Sequence, residues 1–408
     1  MAVKLGNGNW AVKENKLLAY NDNSGRFFNK EFDFARGSSA TYVGKDGLIK
    51  SAASDVPRID FSDSTNGALL LEPQRTNSLL QSNQFDTTWS KTLATITSDE
   101  IASPISGEMA DSILATATSG GHRVLQAPST TGVGTFTMYI KQKELSRICV
   151  HFLGANKAAG FDCSDNTTFA ATGIASYPTR YNISNFGNGW SKVEMYDVGT
   201  TTRVDIYIAN PTSGGNNAVW TGDGTSKIYF SAAQFEIGSY ATSYIPTSGS
   251  TVTRLADVCN NSGSAQDFNS EEGVLYAEIS ALADADNYRI ISLNAGNSLA
   301  SIFIGLRNNT GNVYMYMPTD DTSYISNVNA TNNFTKIALK YKTNDVSFFI
   351  NGTKVFTDNT VTLPTGLNQL DFSYGNSSNS YPFRGKVKCL AVFTTALTDE
   401  QLAALTTI

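Results

Sequence analysis

Short blocks in which apolar and polar residues alternate, each closed off by Gly, Asn, Asp or Ser, recur along most of the chain and constrain its fold more than any other feature. Residues 135–140 (TFTMYI), 147–152 (RICVHF), 190–196 (WSKVEMY), 203–208 (RVDIYI) and 227–230 (KIYF) form one series. Residues 274–279 (VLYAEI), 289–293 (RIISL), 301–306 (SIFIGL) and 312–317 (NVYMYM) form a second. Successive side chains of a strand point to opposite faces, so a period of two marks a half-buried strand. Strands of this length and spacing predict sandwiches or jelly rolls. The sharpest local signal is Asn351-Gly352 between residues 346–350 (VSFFI) and 353–356 (TKVF). Both central residues of a type I′ turn need positive φ, which Asn and Gly tolerate, so a hairpin is expected there.

One helix is predicted, over residues 399–405. Thr398 and Gln401 have the spacing of a capping box, and Leu397 and Leu402 that of a hydrophobic staple around it. The expected fold class is therefore all-β: an extended N-terminal segment, two antiparallel β-sandwich domains and one short C-terminal helix. The boundaries read as 1–77 for an attachment or collar segment, 78–247 for the first sandwich and 255–408 for the second. Residues 243–254 (SYIPTSGSTVTR) read as a linker. Within the collar, 10–13 (WAVK) and 17–20 (LLAY) are strand-like, and Asp46-Gly47 marks a turn.

Composition narrows the function. Only 16% of residues are charged and the formal net charge is −6, which argues against a nucleic-acid partner, because binding phosphates requires clustered Lys and Arg. The nearest approach, Lys141-Gln142-Lys143, reads as a solvated strand end. No signal-peptide core opens the sequence and no apolar run is long enough to span a membrane, so assembly in a host cytoplasm without membrane insertion is expected. Cys149, Cys163, Cys259 and Cys389 are scattered, without the close pairs that mark zinc or redox sites.

Several segments resemble a module of tailed-phage fibre and head-fibre proteins. They are residues 34–41 (FARGSSAT), 46–49 (DGLI), 57–60 (PRID) and 69–77 (LLLEPQRTN), with a partner motif at 234–247 (QFEIGSYATSYIPT). The module departs from its usual form at Tyr42, where a basic residue is common. In such proteins the region between these motifs resembles a carbohydrate-binding-module jelly roll. Here the C-terminal part is similar to concanavalin A-like, laminin-G-type sandwiches, through the Asn-Gly hairpin, residues 383–393 (FRGKVKCLAVF) and residues 396–401 (ALTDEQ). The resemblance implies a virion component, a homotrimer contacting itself and other virion proteins, with bacterial surface polysaccharide as its ligand. The sequence has no heptad pattern for a coiled-coil trimer.

Candidate chemistry is sparse. Of two histidines, His122 falls in a loop and His151 on a strand face with Arg147 and Cys149; a structural role is expected for both. A Cys149–His151 nucleophile lacks an activating base. Glycoside hydrolysis needs two carboxylates about 5–10 Å apart. The retaining pattern Glu-x-Asp-x-x-Glu has only the partial match Glu31-Phe32-Asp33, while Glu278 stands alone and Glu271-Glu272 reads as exposed charge at a strand entrance. No catalytic residue and no cofactor is expected. Asp284, Asp286, Asp320 and Asp321 leave a structural calcium ion open, but turn chemistry explains them as well.

Sugar sites pair aromatic faces with amide and carboxylate groups. Trp190 and Trp220 read as core residues. The glycan-binding candidates are Tyr374, Asn376, Asn379 and Tyr381 in the loop 374–381 (YGNSSNSY), with Tyr288 beside Asn287 as a second position. The functional expectation is a virion structural protein, on head or tail, that binds host-surface glycan. The alternatives are a ligand-free spacer and, ranked below it, a polysaccharide depolymerase.

Overall fold

The computed structural model describes the chain except residues 1–2, 7–10, 14–15, 19, 22–25, 28–31, 171–175, 210–218, 284–286 and 376–378. Trp10, Glu31, Asp284, Asp286 and Asn376 therefore lie outside the described residues. The rest is almost entirely antiparallel β-structure in two compact units. The first comprises Met1–Lys45, Ala52–Pro73 and Leu255–Ile408; the second comprises Asp46–Ser51 and Gln74–Arg254.

In the first unit two sheets pack face to face. One is five-stranded, in the order Thr322–Asn329, Asn312–Met317, Ser301–Leu306, Arg289–Asn294, Gln369–Asp371. The other is centred on Thr335–Lys342, Glu272–Ala281 and Gly385–Phe393. Alternation sends Val313, Met315 and Met317 inward from one sheet and Leu275, Ala277 and Ile279 from the other, into one continuous core. The Asn-Gly hairpin forms as expected: Ile350 faces Thr353, with φ of 48° at Asn351 and 81° at Gly352. The C-terminal helix runs Asp399–Thr406, one residue longer than expected, with both arms of the capping box made. Leu402 buries against Val274, Tyr276 and Phe349 on the outer face of the larger sheet, with Leu397 packed alongside.

Most of the opening section, expected as a collar stabilised by its neighbours or by other copies of the chain, belongs to the first unit. Strand Ala68–Leu71 pairs with Gly385–Phe393, and Val3–Gly6 pairs with the same strand further along. Leu69 and Leu71 enter the core of the first unit, a burial that a segment too short for its own core cannot provide. Beneath these strands three of the four N-terminal motifs converge on one carboxylate. Asp257 accepts from Arg36 Nη1 at 3.1 Å, from Arg58 Nη2 at 2.6 Å and from the Glu72 backbone at 2.7 Å. Arg58 also reaches Glu72 Oε2 at 2.7 Å and the Thr41 carbonyl at 2.8 Å, while Arg384 donates to the Asp257 carbonyl. Arg36, Arg58, Glu72 and Asp257 are all at most 1% exposed. In such a place a charge survives only with its partners in position.

The second unit is also a sandwich. Its sheets run Ala94–Ala102, Met109–Ala115, Lys227–Ile237, Gly134–Gln142, Trp190–Tyr196, Arg180–Gly187, and Ser90–Thr92, Arg123–Gln126, Arg203–Ile208, Arg147–Leu153, Lys157–Asp162, Thr167–Phe169. They enclose a core rich in Phe, Ile and Val. Residues 243–254, expected as a linker, belong to this unit. Tyr244 and Ile245 are buried, and Val252–Arg254 pairs with Arg75–Asn77. Buried side chains of the 234–247 motif explain why. Glu236 accepts from the Thr242 backbone and hydroxyl at 2.7 and 2.6 Å, and Gln234 accepts from the Ile245 backbone at 2.6 Å. Burial pushes the Glu236 carboxyl up against the opposing pull of the Thr242 hydrogen bonds.

Candidate functional site

The five-stranded sheet of the first unit turns its other face outward, and alternation puts Phe303, Tyr314 and Tyr316 there while Ile302, Ile304, Val313 and Met315 go inward. Register aligns them: Phe303 lies opposite Tyr316, and Gly305 opposite Tyr314. At Gly305 a Cβ would sit 2.1 Å from the Arg289 carbonyl, so only glycine fits.

Onto this face the loop after Gln369–Asp371 folds back. The Tyr374 amide donates to the Ser380 carbonyl at 2.9 Å, and the Ile290 amide to the Tyr381 carbonyl at 3.1 Å. The rings then meet. Phe303 lies 5.1 Å from Tyr374 and 5.3 Å from Tyr316, while Tyr288 lies 5.5 Å from Tyr381 and 5.7 Å from Tyr314. Tyr374 and Tyr381 are 5.9 Å apart. Phe303 is the buried hub at 2% exposure; Tyr381 is 44% exposed and left-handed at φ 50°, a conformation that costs a bulky residue energy.

A polar layer fixes this aromatic platform. Asp371 is almost fully buried and accepts from the Asn261 amide at 2.6 Å, Asn294 Nδ2 at 2.8 Å and Gln369 Nε2 at 2.9 Å. Ser292 Oγ donates to the Ser373 carbonyl at 2.8 Å, Ser373 Oγ donates to Asn260 Oδ1 at 3.1 Å, and Asn260 Nδ2 donates to Asn379 Oδ1 at 3.0 Å. At the edge, the Tyr316 hydroxyl donates to Asp321 Oδ1 at 2.9 Å. That bond, with burial, raises the Tyr316 phenol; burial raises Tyr314, and burial with the neighbouring Tyr381 raises Tyr374. All three remain protonated at neutral pH; the Tyr316 proton is committed to Asp321, which leaves the Tyr314 and Tyr374 hydroxyls as donors. The arrangement offers ring faces and hydroxyls side by side, while Asp371 is enclosed by amide donors and Asp321 is engaged by a phenol.

Of the expected residues, Tyr374, Tyr381 and Tyr288 come together, Asn379 anchors the loop from beneath, and Asn376 lies outside the described residues. Tyr314, Tyr316 and Phe303 were not among the expected site residues. Their signal was present in the strict alternation of 312–317, where Val, Met and Met on one face leave both tyrosines on the other.

The remaining candidates have structural surroundings. Trp190 is buried, and the Trp220 indole donates to the Ile208 carbonyl at 3.1 Å. His122 is fully buried with its ring nitrogens 2.6 and 3.1 Å from the Leu93 and Trp220 carbonyls. Burial pushes the Cys149 thiol up to about 12 and the His151 imidazole below its ordinary value, so Cys149 is no nucleophile at neutral pH. Glu272 pairs with Lys342 at 3.2 Å and Glu278 lies 3.9 Å from Lys388. Asp33 accepts from Asn261 Nδ2 at 2.8 Å.

Residues 264–403 match the model of the concanavalin A-like lectin/glucanases superfamily, and the platform strands fall inside that stretch. Among solved structures, the chain is similar to the IT-sialidase CBM40 of Ruminococcus gnavus, at 20% identity over 36% of this chain and 93% of that one, TM-score 0.29. It is also similar to a putative carbohydrate binding protein from Bacteroides ovatus, at 12% identity over 68% and 80%, TM-score 0.28. A third likeness is to domains LG4-5 of the mouse laminin alpha1 chain, at 8% identity over 69% and 90%, TM-score 0.22. No curated protein matches the chain by sequence.

Proposed function

We propose that this chain is a non-catalytic surface protein of a tailed-phage particle, a trimeric head or tail fibre, and that it holds host-surface glycan on the tyrosine platform of its first unit. The observation that carries the glycan reading is the convergence of Tyr288, Tyr374 and Tyr381 with Tyr314 and Tyr316 around buried Phe303. Pyranose rings stack on aromatic faces, and protonated phenols beside those faces supply donors to ring hydroxyls. The superfamily match over the same strands supports it, since that superfamily includes lectins. The non-catalytic reading is supported by the engagement of Asp371 and Asp321 in hydrogen bonds. The virion assignment and the trimer rest on the resemblance of the 34–77 and 234–247 motifs. Weak sites in several copies would reach useful affinity through avidity.

The test is a bacterial glycan array with the intact protein and with Tyr381→Ala and Tyr374→Ala. Losing one stacked ring is worth about 0.5–1.5 kcal/mol per site, roughly a twofold to tenfold loss of affinity. Equal binding by wild type and both variants would move the glycan away from the tyrosine platform, and binding to no glycan would favour the ligand-free spacer. Release of reducing ends from capsule would replace the proposal with a depolymerase. Antibody labelling of particles tests the location.

A further inference from the structure

The second unit carries a different surface on the sheet that contains Arg123–Gln126, Arg203–Ile208 and Arg147–Leu153. Val124, Ile148, Val150, Phe152, Val204, Ile206 and Ile208 face its core. Alternation therefore turns Arg123, His151, Arg203, Asp205 and Tyr207 to the opposite face. Register puts them in adjoining rows, with Arg123 across from Tyr207 and His151 across from Asp205. Asp205 is fully buried and organises the group. Arg203 holds it with Nε at 2.6 Å and Nη2 at 2.8 Å, and Arg123 Nη1 reaches it at 3.2 Å. The Arg123 guanidinium also donates to the Tyr207 hydroxyl and lies 5.2 Å from the centre of that ring.

Two guanidiniums thus share one carboxylate and keep one positive charge in excess, on side chains 27% and 32% exposed. On a chain of net charge −6 this is a local inversion of sign. Arg123 Nε and His151 Nε2 are buried in the same patch without a hydrogen-bond partner among the described residues.

We infer that this face is a second binding site, separate from the tyrosine platform, for a sugar bearing a carboxylate. A single excess charge matches one carboxylate of a sugar chain better than a phosphate dianion. Beyond their contacts with Asp205, the forked guanidiniums of Arg203 and Arg123 keep N–H groups for the two oxygens of a carboxylate, and the part-exposed Tyr207 borders the space the sugar would fill.

The experiment is calorimetric titration of the full chain at low salt with tri-galacturonate, its methyl ester and inorganic phosphate. The acid trimer binds and weakens as salt rises, while the ester and phosphate bind at least tenfold more weakly. Arg203→Gln lowers acid-trimer affinity by about tenfold, the loss of a charge-assisted pair. Arg123→Lys, which keeps the charge beside Asp205 but loses the fork, lowers it as well and carries the test should Arg203→Gln fail to fold. Failure of the acid trimer to bind, equal binding of ester or phosphate, or unchanged affinity in variants that melt as wild type does, overturns the assignment.

Discussion

Replacing Arg58 by Ala removes a side chain that is 0% exposed and has three separate jobs. It donates to Asp257 Oδ2 at 2.6 Å, to Glu72 Oε2 at 2.7 Å and to the Thr41 carbonyl at 2.8 Å. After the substitution Asp257 keeps Arg36 at 3.1 Å, but Asp257 and Glu72 both lose the buried positive charge they shared. Breaking one partner out of a buried ion pair costs about 3–5 kcal/mol, because the charge left behind is desolvated and uncompensated. For a unit of this size that corresponds to a fall in melting temperature of roughly 6–20 °C. Differential scanning calorimetry of the intact chain measures it, and a double-mutant cycle refines it. Arg58→Met combined with Glu72→Met should cost less than the sum of the singles, with a coupling of about 0.5–3 kcal/mol. A single variant within 1 kcal/mol of wild type, or a purely additive cycle, would refute the reasoning that Asp257, Arg58 and Glu72 act as one knot.

Three further outcomes are expected. Gly352→Ala puts a side chain at φ 81° with its Cβ 3.2 Å from Thr407 Oγ1, and should cost about 1–2 kcal/mol in urea unfolding; a neutral result would mean the turn is not type I′. Thr398→Ala removes one arm of the capping box and should cost about 1 kcal/mol, read as faster amide exchange in the C-terminal helix. Glu100 is held down to about 2: burial works against its charge, but hydrogen bonds from Lys143, Lys227 and Ser112 outweigh that. A depressed folded-state pKa adds stability above the unfolded value of 4.5, lost as pH falls toward 2. Wild type should therefore lose its advantage over Glu100→Gln between those limits, and parallel stability curves across that range would contradict it.

The parts of this protein legible in its sequence are those set by neighbours along the chain. Period-two alternation makes a strand by the geometry of the backbone, Asn351-Gly352 makes its turn because both residues tolerate positive φ, and Thr398 caps its helix through a residue three positions on. The loop 374–381 could be singled out for its tyrosines, as could Tyr288. Their meeting could not be read, because it depends on Arg289–Asn294 lying between Ser301–Leu306 and Gln369–Asp371, and strand order follows from which core faces fit together. Nor could the N-terminal motifs be placed. Arg58 is 199 residues from Asp257, and Leu69 finds Val387 only once the last strand is in position. Local stereochemistry determined the elements. Burial of charge and of apolar faces across long separations decided their company, since water penalises an unpaired Arg58 or an exposed Leu69 regardless of which distant residue covers it.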